Sequence, residues 1–213
     1  GQKNHNGVRN VFRMKILIGI TIIAISISVM IFLHEPLINM FLHEGSSSGN
    51  IQETFNYAKN YLYIMVIGIA PFVISNCYNT TLKESGQTVV PMKAGVLAVV
   101  FDIVLNYIFI FGKLGFPAMG VVGAAIATVI SRFVECGYLV IYTHIHSNDY
   151  PFIKYCYRTL KVPGSLVKKI IVTGAPLMLN EFLWAGGLTL QTQALSTKGL
   201  ATVGGLNISN TIG

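Results

Sequence analysis

The chain has 213 residues, of which 53% are apolar and only 11% are Asp, Glu, Lys or Arg. An average soluble domain carries roughly 25% charged residues, so there is too little charge here to clothe a water-facing surface. Fifteen Lys and Arg against eight Asp and Glu give a formal charge of +7, and where those charges lie decides whether they serve nucleic acid or a membrane. Cys77, Cys136 and Cys156 form neither an even-numbered framework nor a CxxC pair, which argues against a disulfide scaffold and against a zinc site.

A helix crosses the ~30 Å hydrocarbon core with about 20 mostly apolar residues. Five stretches meet that length: 16–33, closed by His34-Glu35-Pro36; 60–82, between Lys59 and Lys83; 94–112, with Asp102 as its one charge; 118–143, with Arg132 and Glu135 in its second half; and 170–197, with Glu181. A sixth apolar run begins at 200 and stops at 213. Strand alternation is absent, and in lipid such runs satisfy their backbone amides as helices. The expected fold class is all-α, a polytopic helical membrane protein with five full spans and one truncated span. With no Met at residue 1 and an incomplete last span, the chain is expected to be a segment of a longer protein.

Lys and Arg sort to alternate connections. Lys3, Arg9, Arg13, Lys15, Lys83, Lys93, Lys154, Arg158, Lys161, Lys168 and Lys169 fall on one side, against Lys59, Lys113 and Lys198 on the other. The positive-inside rule makes the basic side cytoplasmic, namely residues 1–15, 83–93 and 144–169. The positive charge then reports topology and contact with anionic lipid; no basic, aromatic-rich soluble surface remains for nucleic acid. The tract Ser46-Ser47-Ser48-Gly49 reads as an external loop tip. The connection 144–169, punctuated by Pro151 and Pro163-Gly164, is the best domain boundary. Its part 152–160 is either a short amphipathic helix on the leaflet or a solvated linker.

Gly115, Gly120, Gly123, Ala124, Ala125 and Ala127 set small residues on the fourth span, where a neighbouring helix can approach closely. Pro71 and Pro176 each remove a backbone hydrogen bond within a helix and permit a bend. A carboxylate in the bilayer costs about 2.5–3.5 kcal/mol and normally faces a cavity or a partner. Glu181 lies near mid-depth beside Asn180 and Pro176, able to change protonation or to hold a cation. Asp102 has Asn106 one turn later on the same face, and the pair offers oxygen ligands to sodium or to a cationic substrate, or else glues two helices. Thr128 lines the same cavity or back-bonds within its own helix. Arg132 and Glu135, three apart, are expected to neutralise each other. No HExxH, GxSxG, SxxK, P-loop or GxGxxG pattern occurs, so no enzyme is expected, and neither His144 with His146 nor His34 with His43 is read as a metal site.

Several segments carry a family pattern: Gly1-Gln2; Asn79-Thr80-Thr81-Leu82-Lys83-Glu84-Ser85-Gly86-Gln87-Thr88 with Pro91-Met92; Asp102 through Asn106 to Gly112; Gly115-Phe116-Pro117 through Gly120 and Gly123 to Thr128; and Gly174-Ala175-Pro176 through Asn180-Glu181 to Trp184. Together they resemble the multidrug and toxic compound extrusion (MATE) family of secondary transporters. The resemblance implies two six-helix lobes, of which this chain carries the third to seventh helices and the start of the eighth: 1–143 in the N-terminal lobe, 144–169 as inter-lobe loop, 170–213 in the C-terminal lobe. It implies export of organic cations or drugs across the plasma membrane in exchange for Na⁺ or H⁺, the coupling ion undecided and no other cofactor expected. Asp102, Asn106 and Thr128 match N-lobe cavity positions, and Glu181 an acidic position of the seventh helix. Asp at 102 departs from the Asn often found there. The implied partners are an organic cation, the lipid bilayer and the transporter's remaining helices. A lipid-linked saccharide flippase of related fold, and an uncoupled channel or scaffold, are the alternatives.

Overall fold

The computed structural model describes residues 5–40, 51–150, 152–154, 156–159 and 161–196. Among them are six helices and no strand: α1 (His5–Phe32), α2 (His34–Asn39), α3 (Ile51–Glu84), α4 (Val89–Phe111), α5 (Gly120–Ile145) and α6 (Gly164–Ser196). This is the all-helical architecture that the apolar runs predict. Helices covering 6–32, 52–84, 89–111 and 120–145 are long and apolar enough to cross a membrane. Only 6% of the most apolar window of α1 and 33% of that of α5 are buried inside the protein. So many outward-facing Ile, Val and Phe side chains require an apolar solvent, which a bilayer supplies.

Hydropathy predicts five spans, and the structure supplies four by length and composition. The fifth, α6, has 33 residues, but Pro176, Asn180, Glu181 and three glycines between 174 and 187 dilute its apolar character. The truncated sixth run lies outside the described residues, as does the Ser46–Gly49 tract. Helices also begin earlier than the apolar runs. α1 starts at His5 and α3 at Ile51, because a helix once nucleated by its apolar stretch gains one hydrogen bond for each further residue it orders. α1 stops at Leu33, and Pro36 falls in the first turn of α2, where its missing N–H is no loss. Pro71, buried, does not end α3, which continues through it to Glu84.

The chain forms two compact units, one of residues 1–31 and 60–163 and one of 32–59 and 164–213. In the first, α5 packs on two neighbours. Toward α4, an added Cβ at Gly123 would lie 2.8 Å from the backbone of Phe109, so a hydrogen is all that fits there. Toward α3, Val129 meets Gly68, whose added Cβ would stand 3.1 Å from the valine side chain. The reversal between α4 and α5 depends on Gly112. Its φ of 64° closes the C-terminus of α4, with Lys113 N–H donating to the Ile108 carbonyl at 2.9 Å, the left-handed cap for which glycine is favoured. Gly115 and Gly120, grouped with the small residues of α5 from sequence, instead have open space around them and positive φ; they shape the turn, while Gly123, Ala125 and Ala127 are the buried ones.

At the opposite end of this unit the described residues of the segment 152–160 are neither a leaflet helix nor a solvated linker. Residues 152–154 and 156–158 form turns, and Phe152, Ile153 and Cys156 are buried with Phe12 of α1, Tyr78 and Leu82 of α3 and Leu139 of α5. Phe12 meets Tyr78 and Phe152 edge-on, at 5.1 and 5.5 Å between ring centres. The apolar side that would have faced lipid faces the protein's own core, while Lys154 and Arg158 stay exposed. Tyr78 and Tyr157 share a hydrogen bond between their hydroxyls. Lys15 pairs with Glu84 at 2.7 Å and donates to Thr80 at 3.1 Å. Basic residues from α1, α3 and the 152–158 turns thus collect at one end of the unit.

Candidate functional site: the polar seam between α4 and α5

Beyond Lys93 near its start, α4 has the composition of a lipid-facing helix apart from Asp102 and Asn106, and both are half-buried. The spacing of four places them one turn apart, and Asn106 Nδ2 donates to Asp102 Oδ2 at 3.0 Å. The other carboxylate oxygen faces α5, where Ser131 Oγ stands 3.3 Å from Asp102 Oδ1 and 2.8 Å from the Thr128 carbonyl oxygen. Gly123, Ala127 and Ser131 recur every four residues and are all buried. That small-residue ridge lets α5 come close enough for a side chain as short as serine to reach a carboxylate on the next helix.

The seam therefore brings Asp102 and Asn106 together and links them, through Ser131, to the backbone of Thr128. Ser131 is absent from the candidates that sequence reasoning yields. Its position one turn after Thr128 was the available signal, and a lone serine in an apolar helix is too common to stand out. Among the described residues Asp102 has no basic partner. The nearest cation along α5, Arg132, is turned away: its Nη1 lies 3.5 Å from Glu135 Oε2, and its guanidinium sits over the Phe72 ring of α3 at 4.6 Å. The expected Arg132–Glu135 neutralisation is present. What remains at the seam is a carboxylate, an amide, a hydroxyl and a backbone carbonyl, an oxygen-rich set suited to a hard monovalent cation, a proton or an organic cation.

Asn180 and Glu181 are neighbours on α6, in the second unit, both exposed, with Pro176 one turn earlier inside the helix. His144 and His146 turn Nδ1 to the carbonyls of Val140 and Tyr142 at 2.8 and 3.0 Å, and no group of three or more His, Cys, Asp or Glu suited to a metal occurs among the described residues. An apolar cavity of about 330 Å³ opens between α1, α3 and α5, lined among others by Gly19, Val73, Cys77 and Cys136. It does not include the α4–α5 seam.

The family model for MatE matches residues 1–108, a stretch that includes Asp102 and Asn106. Among curated proteins, the probable multidrug resistance protein NorM of Thermotoga maritima is 32% identical over 176 residues, covering 83% of this chain and 36% of the relative. NorM of Halalkalibacterium halodurans is 30% identical over 186 residues (85% and 38%), and the probable multidrug resistance protein YoeA of Bacillus subtilis 28% over 185 residues (83% and 38%). The chain thus spans little more than a third of the length of these relatives. No solved structure matches it. With half of its residues inside the family model and most of its length aligned to such relatives, this helical membrane chain belongs to the MatE family.

Proposed function

We propose that the chain is part of a cation-coupled antiporter that exports organic cations or drugs across the plasma membrane by alternating access, with Na⁺ or H⁺ as the coupling ion. The supporting observation is the state of Asp102: a carboxylate between two apolar helices, held by an amide and a hydroxyl and lacking a basic partner among the described residues. A carboxyl so held meets its charge by taking a proton or a cation, and exchange of the two is what coupling requires. Asp102, Asn106 and Thr128 then line the N-lobe site, and Glu181 with Asn180 acts as a second cation carboxylate on α6. In this reading residues 1–143 belong to the first lobe, 144–169 join the lobes, 170–213 open the second, and the basic end of the first unit faces the cytoplasm. The multidrug names of the relatives agree with it. A flippase for lipid-linked saccharides would need free cationic side chains, and the intramembrane Arg132 is already paired.

The test is export of a cationic dye from vesicles containing the full-length transporter that carries this segment, driven in turn by sodium and by proton gradients. Export is expected with one of them, with Asp102→Asn and Glu181→Gln each lowering it at least tenfold while insertion is unchanged. Export driven by neither gradient defeats the antiporter reading, and unchanged export in both variants defeats the site.

A further inference from the structure

Ser131 presents a conflict that its chemistry must resolve. Its hydroxyl has one hydrogen and two acceptors in reach, the Thr128 carbonyl at 2.8 Å and Asp102 Oδ1 at 3.3 Å. Ser131 Oγ is placed to donate to either oxygen, and its one hydrogen serves one at a time: turned to Thr128, the contact of usual O–H···O length, it leaves an oxygen lone pair facing the carboxyl. An oxygen lone pair against a charged carboxylate oxygen is repulsive; against a protonated one it is an acceptor. We propose that Ser131 is a positioning residue for Asp102 whose hydroxyl has two settings. With the carboxyl protonated, Asp102 donates to Ser131 and Ser131 donates to the Thr128 carbonyl. With the carboxyl charged, the hydroxyl turns and donates to Asp102 Oδ1 in a charge-assisted bond, and the Thr128 carbonyl keeps the bond of its own helix.

This rests on Asp102 being the group that exchanges the coupling cation, and it adds how the exchange reaches α5. Each setting keeps the one donor of Ser131 paired, as its 5% exposure requires; what changes is the acceptor, and a charged carboxylate is a stronger one than a backbone carbonyl. Asn106 holds the other oxygen in both settings. The remaining charges nearby do not compete. On α5, Arg132 and Glu135 pair with each other, and on α4 Asp102 is the one titratable side chain between Lys93 and Tyr107. The protonation state of α4 is thereby written into the direction of a hydroxyl on α5, next to the carbonyl of a residue at the same seam.

Infrared difference spectra of the full-length transporter in lipid vesicles, recorded while the pH is lowered, read this directly. The C=O stretching band of protonated Asp102 is identified by its absence in Asp102→Asn. In Ser131→Ala the band is expected at higher wavenumber, because the acid O–H has lost its acceptor. In Ser75→Ala, which removes a buried hydroxyl from α3 (2% exposed), the band is expected unmoved, which separates hydrogen bonding from general loosening. A band unshifted in Ser131→Ala, or no Asp102 band at any pH, overturns the proposal. Dye export from the same vesicles is scored separately: a shifted band without export counts against the transport reading alone.

Discussion

Arg13 of α1 donates its Nε hydrogen to the backbone carbonyl of Cys156 at 2.8 Å, joining residues 143 positions apart in the chain. A hydrogen bond to a charged group is worth up to about 1.5–3 kcal/mol, and this one is part-buried. Here it fixes the backbone of the turns whose side chains Phe152, Ile153 and Cys156 fill the core between α1, α3 and α5. The compact unit that contains these turns ends at residue 163, and α6 starts at Gly164. The segment long enough to be a loose linker is therefore tied to one unit for most of its length. Arg13→Ala is expected to free the turns without unfolding the helices. Trypsin cleavage after Lys154 and Arg158 should rise at least tenfold, and helical circular dichroism should stay within error of the unsubstituted protein. Unchanged cleavage would mean that the buried aromatic side chains hold the turns without Arg13.

Gly123 and Gly137 lie on one helix and make opposite predictions. A Cβ at 123 would stand 2.8 Å from the Phe109 carbonyl carbon and oxygen, both backbone atoms that cannot step aside, while a Cβ at 137 meets nothing within 4 Å. Gly123→Ala is expected to push α4 from α5 and cost about 1–3 kcal/mol, the range for forced overpacking. Gly137→Ala removes backbone freedom at no steric cost and should gain up to about 1 kcal/mol. Thermal unfolding in detergent measures both; the prediction fails if the two shifts have the same sign.

Arg132 and Glu135 are a pair in which one partner is better hidden than the other, at 41% and 12% side-chain exposure. Removing Arg132 alone strands a largely buried carboxylate, and the penalty for breaking such a pair is about 3–5 kcal/mol when both members are buried. The lower end applies here because Arg132 is part-exposed and also sits over the Phe72 ring. Replacing both, as Arg132→Met with Glu135→Leu, should recover most of the loss. A double variant as unstable as Arg132→Met alone would show that the ion pair is not what the two residues contribute.

The lipid-facing helices were legible because the bilayer imposes a single rule on composition, and Asp102, Asn106 and the Arg132–Glu135 pair stood out as polar exceptions at helical spacing. Ser131 did not, because its role comes from how closely α4 and α5 approach, and that distance is set by Gly123 against Phe109, a contact between residues on different helices. The segment 152–160 departs from its sequence pattern for a related reason. Its amphipathic pattern correctly marks one apolar side, but pattern does not say whether lipid or protein receives that side. Pro71 shows a third limit: a proline predicts a missing hydrogen bond, and the packing of the helix around a buried ring decides whether the helix breaks.

The same turns make the basic end of the unit sensitive to alkaline pH. Burial pushes the Cys156 thiol above its ordinary value near 9.0, against the lowering effect of Tyr157 and of the Arg13 charge, and burial likewise raises Tyr157 above its ordinary value of 10.0. Both groups are acids whose neutral forms the folded turns favour. Well below pH 9 the thiol and phenol are protonated in folded and unfolded chains alike, so the packing keeps its full stability. Above it the unfolded turns release protons that the folded ones retain, and stability falls as pH rises through the raised folded values. Alkylation of Cys156 by a small neutral reagent should then be slow at pH 8, where a free thiol is already partly ionised, and should accelerate above pH 10 more steeply than thiolate formation alone predicts. Arg13→Ala removes a charge that favours the thiolate but also the bond that closes the turn over the thiol, and because burial is the larger cause of the raised value the onset should move to lower pH. An alkylation profile that follows a simple titration near pH 9, unchanged by Arg13→Ala, would show that Cys156 is open to water and that the turns are not packed on the helices.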